Sequence, residues 1–100
     1  MNNSFDLIIT VVNRGFADKV MDVARSAGAK GGTVLQGRGT AAPDAEQLLG
    51  IVIQPEKEVV LIVAAHDIKN DIMNAIMTNV GLADPGQGIV FTMPVNDFCK

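Results

Sequence analysis

Chemistry in this chain is concentrated between Gly28 and Thr40, a stretch reading Gly-Ala-Lys-Gly-Gly-Thr-Val-Leu-Gln-Gly-Arg-Gly-Thr that holds five of the ten glycines. It is a glycine-rich turn, a short strand and a second glycine-rich turn carrying Arg38. Amides unobstructed by side chains can close on an oxyanion, and a guanidinium can grip one bidentately, so the stretch points to anion binding. Gly37 and Gly39 flank Arg38, which favours a phosphate contact over two other readings: a solvated loop arginine, or an ion-pair partner for Asp44 or Glu46. The Gly-x-Gly pieces lie before and after a strand and open no helix. Neither the dinucleotide fingerprint nor a Walker-type phosphate loop is therefore matched.

A further glycine-rich turn, Ala83-Asp84-Pro85-Gly86-Gln87-Gly88, carries more glycine than one turn requires. Lys57 lies between Glu56 and Glu58 and reads equally as a ligand contact or as part of a solvated charge cluster. His66 is the single histidine and has no Cys or His at metal-ligand spacing, so a helix-start or surface role is expected. Cys99, the one cysteine, has no local histidine and reads as a spare tail thiol. Asp44 and Glu46 lie in a loop that fixes no acid and base pair. No hydrolytic constellation is present.

The elements that must position these residues come from a chain of 100 residues, one domain spanning 1–100 that buries roughly two-thirds of its unfolded surface. Apolar residues make up 48% but aromatics only 4%, with no Trp or Tyr, so the core must be built from Val, Ile, Leu, Met and Ala, and burial by oligomerisation is attractive. The net charge of −3 and the scattered basic residues argue against nucleic acid. A lone cysteine and the absence of a leader pattern lead to the expectation of a cytoplasmic protein. No apolar run approaches the ~20 residues of a spanning helix.

Phe5 to Val12 is a β-branched run too continuous for an exposed edge and reads as a central strand. After a turn at Asn13-Arg14-Gly15, Phe16, Val20, Val23, Ala24 and Ala27 recur at helical spacing, and Gly28 sits where a left-handed terminator belongs. Gly32 to Gln36 is a short second strand. A loop of about 38–50 follows, longer than the usual ~4 to 6 residues. Leu49 to Ile53 and Glu56 to Ala65 read as one long strand, or two, interrupted at Pro55. A second helix runs from Asp67, a candidate cap, to Val80, with Ile68, Ile72, Ala75, Ile76 and Val80 on one face, and Gly81 ends it. Ile89 to Met93 is the last strand, stopped by Pro94.

Strand, helix, strand, strand, helix, strand makes an α+β, ferredoxin-like βαββαβ sandwich, an antiparallel sheet with both helices on one face. Because Phe5 to Val12 and Val59 to Val63 are apolar on both alternations, the other face should be covered by further subunits, a cyclic trimer being the first choice.

The chain resembles the PII-type signalling proteins, of a PII-like branch with a shortened central loop. The resemblance covers nearly the whole chain and is carried by the element order, Gly28 to Thr33, Glu56-Lys57-Glu58, and Gly86-Gln87-Gly88-Ile89-Val90-Phe91, which is similar to the family's Gly-Asp-Gly-Lys-Ile-Phe turn. It implies a homotrimer that binds adenine nucleotides between neighbouring subunits beneath a partner-contacting loop. By that resemblance Gly28, Gly32 and Thr33 would lie near the adenine or ribose, and Gly37, Arg38, Gly39 and Thr40 beside the phosphates. Lys57 would be the basic residue at the return of the loop, and Gly86, Gln87 and Gly88 would wrap a phosphate from the far side of the cleft.

The departures change the expected ligand. Gln87 replaces an acidic residue, Ile89 stands where the family turn has a phosphate-binding lysine, and the tail ends before the usual pair of arginines. Each charge-assisted hydrogen bond contributes about 1.5 to 3 kcal/mol, so phosphate binding should be weakened, with Arg38 the replacement and ADP or AMP at least as favoured as ATP. The resemblance thus implies a non-enzymatic sensor, without cofactor or metal, that regulates a partner through residues 40–49. By the same resemblance the partner would be a membrane transporter or a metabolic enzyme, with reversible membrane association through a transporter. The rival readings are a trimeric ferredoxin-like enzyme or metal-tolerance-type protein sharing only the fold, and an oligomeric scaffold without ligand.

Overall fold

The computed structural model of the protein describes residues 4–40, 56–82 and 87–99. Strand β1 spans Phe5–Asn13, helix α1 Ala17–Ser26, β2 Thr33–Arg38, β3 Glu56–Ala65, a 3-10 turn His66–Ile68, α2 Lys69–Val80 and β4 Gly88–Val95. All described strand pairs are antiparallel, and the sheet order is β2-β3-β1-β4. That is the expected ferredoxin-like arrangement, in which each helix returns the chain across the sheet.

Alternation along β1 and β3 divides the apolar residues between two faces. Ile8, Val12, Val60 and Ile62 are fully buried beneath the helices, against Val20 and Ala24 of α1 and Ile72 and Ile76 of α2. Burial of one such side chain contributes roughly 1.5 to 3 kcal/mol, so these few residues dominate the core. Met21 completes it, whereas Phe16, expected on the buried stripe, is the exposed residue preceding α1. The opposite face carries Leu35, Val63, Ile89, Phe91 and Met93, with Ile89 56% and Val63 53% exposed, so about half of each apolar side chain meets water in the single chain.

Both described helices stop on glycine, as expected. After α1, the Gly28 amide donates to the Arg25 carbonyl and the Ala29 amide to the Ala24 carbonyl, a Schellman arrangement that needs the positive φ of Gly28, 115°. Gly81 closes α2 in the left-handed conformation.

Three local expectations are corrected. Pro94 does not stop the last strand; it pairs opposite Asp6 inside β4, an edge strand, where a missing amide proton breaks no interior ladder. The Asp67 side chain does not cap the second helix, which is entered through the 3-10 turn. Strand β2 runs on to Arg38, so Gly37 and Arg38 are strand residues paired with Lys57 and Glu56, not the start of the loop. The segment Leu49 to Ile53 and most of the 38–50 loop lie outside the described residues. Among the described residues no helix is long and apolar enough to cross a membrane.

Candidate functional site

Antiparallel pairing brings four strand ends to one end of the sheet: Asn13 of β1, Arg38 of β2, Glu56 and Lys57 of β3, and Gly88 of β4. The registers fix this, pairing Asn13 with Lys57, Arg38 with Glu56 and Val12 with Gly88. Gly37, Arg38, Gly39, Thr40, Lys57, Gln87 and Gly88 thus share this end, and Gly86 lies outside the described residues. Within one chain they form two groups, because β2 and β4 are opposite edges, separated by three strand spacings or about 14 Å.

Gly28, Gly32 and Thr33 do not join them. Thr33 pairs with Leu61, about 13 Å along β2 from Gly37. Gly32 serves close packing: a Cβ there would lie 2.8 Å from the Met21 sulfur and 2.9 Å from the Leu61 carbonyl oxygen. Gly88 has a φ of 144°, and an added Cβ would fall well inside contact with the Val11 carbonyl oxygen. The fold alone therefore requires glycine at position 88. Gly37 carries no such demand, since its Cβ would meet Val59 at an ordinary 3.7 Å.

The three residues that open β3 are each engaged by the turn after β1. The Glu56 carbonyl accepts from the Arg14 amide at 3.2 Å. Lys57 Nζ donates to Asn13 Oδ1 at 2.6 Å, and because neighbours on a strand face opposite ways, its ammonium turns away from the flanking glutamates. The solvated-cluster reading of Lys57 is thereby replaced: the ammonium is anchored by the nearly buried Asn13.

Glu58, on the helix face, accepts from the amides of Gly15 at 2.9 Å and Ala17 at 3.0 Å, and from Gln36 Nε2 at 3.5 Å. The bond from Ala17, joined by those from Gly15 and Gln36 and the charge of Arg14, holds the Glu58 carboxyl below the usual carboxylate range against the opposing effect of desolvation. It supplies the start of α1 with the anionic acceptor that no local side chain gives. Arg38 is exposed and, among the described residues, has no ion-pair partner; Asp44 and Glu46 lie outside them.

Sequence reasoning missed Asn13, Glu58 and a further pair, His66 with Asp6. The Asp6 carboxylate, 4% exposed, meets His66 Nδ1 at 2.6 Å. The strand alternation that buries Ile8 and Val12 also buries Asp6, and that was the available signal. Among the described residues no group of three His, Cys, Asp or Glu side chains is arranged to hold a metal ion.

Comparison with known proteins decides the kinship. The family model of nitrogen regulatory protein P-II matches residues 5–100. The chain belongs to the P-II family. Among solved structures this P-II chain is similar to Arabidopsis thaliana PII bound to citrate, with a TM-score of 0.73 and 22% identity over 99% of this chain and 82% of that one. It is also similar to a PII-like signalling protein from Thermus thermophilus, with a TM-score of 0.69 and 13% identity over 93% and 87% of the two chains. At these identities the likeness is one of fold. The sequence matches none of the curated proteins with which it was compared. Membership makes it a signalling protein by family.

Proposed function

We propose that this P-II chain is a non-enzymatic sensor of the short-loop branch that binds an adenine nucleotide between neighbouring subunits and regulates a partner through residues 40–49. The observation that carries the reading is that Arg38, Lys57 and Gly88 lie at one end of the sheet, Arg38 on the β2 edge with Lys57 one strand in on β3, and Gly88 on the far edge β4. The β2–β3 side supplies the cations, on opposite faces of the sheet, and the β4 edge an amide-rich strand start. A second copy bringing its β4 edge to this chain's β2 edge would unite them. The apolar outer face of the sheet, with Leu35, Phe91 and Met93, favours such assembly, since leaving it in water forgoes roughly 25 cal/mol for each Å² that could be buried. A homotrimer is the assembly proposed.

Arg38 has no partner to surrender among the described residues, and Lys57 is held ready by a neutral amide. Citrate on the Arabidopsis relative is a polyanion, the ligand class that such groups take. ADP or AMP is expected to bind at least as well as ATP, because Ile89 supplies no third cation. A membrane transporter is the proposed partner, which would place the protein in the cytoplasm with reversible attachment to the membrane. Titration calorimetry with ATP, ADP and AMP tests the reading, together with sedimentation to count subunits. Saturable binding by a trimer supports it, and turnover of the bound nucleotide would favour the enzyme alternative.

A further inference from the structure

Asp6 and His66 belong to no part of the proposed nucleotide site; they lie at the other end of the sheet, where β1 begins and β3 ends. Their contact is short, 2.6 Å between Asp6 Oδ2 and His66 Nδ1, and asymmetric in burial, with 6% of the Asp6 side chain and 61% of the His66 side chain exposed. A carboxylate only accepts, so the contact favours a proton on Nδ1, and in the neutral ring that tautomer leaves the Nε2 lone pair outside the contact on a side chain that is 61% exposed. The backbone of His66 is fixed as well, its amide donating to the Ser4 carbonyl at 2.9 Å. A buried carboxylate that sets the tautomer and orientation of an exposed imidazole is what a nucleophilic histidine requires.

We propose that His66 is a phosphoryl-acceptor site, with Nε2 as the nucleophile and Asp6 as its positioning residue. The Nε2 lone pair attacks the phosphorus of a phosphoryl donor such as an acyl phosphate, a phosphoramidate or a phosphorylated protein. A nitrogen–phosphorus bond forms, and the donor's bond to phosphorus breaks with its electron pair leaving on the departing group. Nδ1 keeps its proton, so the phosphorylated ring carries a positive charge that faces the Asp6 carboxylate. In a signalling chain this places a covalent mark where β3 passes into the second helix, at the end of the sheet opposite Arg38 and Lys57. It stands independently of nucleotide binding.

The sequence makes the test clean, because His66 is the only histidine. The full chain is incubated with phosphoramidate, and phosphorylation is followed by intact mass and phosphorus NMR, with N-acetylhistidine as the reference. His66 is expected to react about tenfold faster or more than the reference, and Asp6→Asn to remove that advantage, in line with the ~10 to 100-fold effect of losing an orienting partner. The label should be acid-labile and absent from His66→Gln. Nitrogen NMR of the wild-type ring should report the Nδ1–H tautomer, a readout that a purely structural contact would not couple to rate. A wild-type rate no greater than that of N-acetylhistidine overturns the proposal, and this comparison holds even if Asp6→Asn fails to fold.

Discussion

Substitution of Gly88 by alanine separates what the fold needs from what a ligand would use. Position 88 adopts a φ of 144°, a region nearly closed to residues with a Cβ, and that Cβ would press into the Val11 carbonyl of the neighbouring strand. Holding a non-glycine residue in such a region costs about 1 to 3 kcal/mol, and forcing extra atoms into packed surroundings costs about 1 to 3 more. The expected loss is therefore ~2 to 6 kcal/mol, and each kcal/mol lowers the melting temperature of a domain this size by ~4 to 8 °C. Gly37→Ala is the matched control: its Cβ meets only ordinary contacts, so a change within about 0.5 kcal/mol is expected. Urea unfolding of both variants without nucleotide gives the answer. If Gly88→Ala loses less than about 0.5 kcal/mol, the close approach of β4 to β1 is not what demands glycine there, and the structural account of that position fails.

Glu58→Gln should lower stability by about 1 kcal/mol at neutral pH, the usual worth of an acceptor at a helix start. Because bonds from the Ala17 and Gly15 amides lower the folded-state pKa of Glu58, its contribution is present above the unfolded value near 4.5 and is lost as pH falls through the folded one. Acid unfolding of the variant should therefore be less steep, and identical profiles would remove Glu58 from that role. Thr10 is fully buried and, among the described residues, its hydroxyl has no hydrogen-bond partner, so Thr10→Val should stabilise the fold by ~1 kcal/mol in thermal unfolding; a loss of that size would mean the hydroxyl is satisfied. Arg38→Ala should weaken ADP binding by roughly 10 to 100-fold, the equivalent of one charge-assisted hydrogen bond, and unchanged affinity in calorimetry would take Arg38 out of the site.

The order of elements was legible because each announced itself locally: the β-branched run of β1, the helical spacing of Ile72, Ile76 and Val80, and the glycines that end both helices. Boundaries were harder. Pro94 reads as a stop until it is known that β4 is an edge, and edge position follows from tertiary pairing alone. The same limit applies to the site. Arg38 and Lys57 could be named as candidates from residue type and from resemblance to the family, but which way each points depends on strand parity, and parity on the register between β2 and β3. Asn13 and Glu58 could not be paired with residues forty or so positions away without that register. Glycine proved the least informative residue to read from sequence. Gly28, Gly32 and Gly88 look alike in a glycine-rich stretch, yet one satisfies a helix end, one lets the core close and one lets two strands meet.

The central claim is that Arg38 on the β2 edge and Lys57 on the neighbouring strand, with the amides around Gly88 from the β4 edge of a second copy, hold an adenine nucleotide. Titration calorimetry of the assembled protein with ADP tests it most directly. The account predicts saturable binding at one site per subunit, with AMP and ATP competing for it. The absence of saturable heat with ADP, AMP and ATP alike would contradict it.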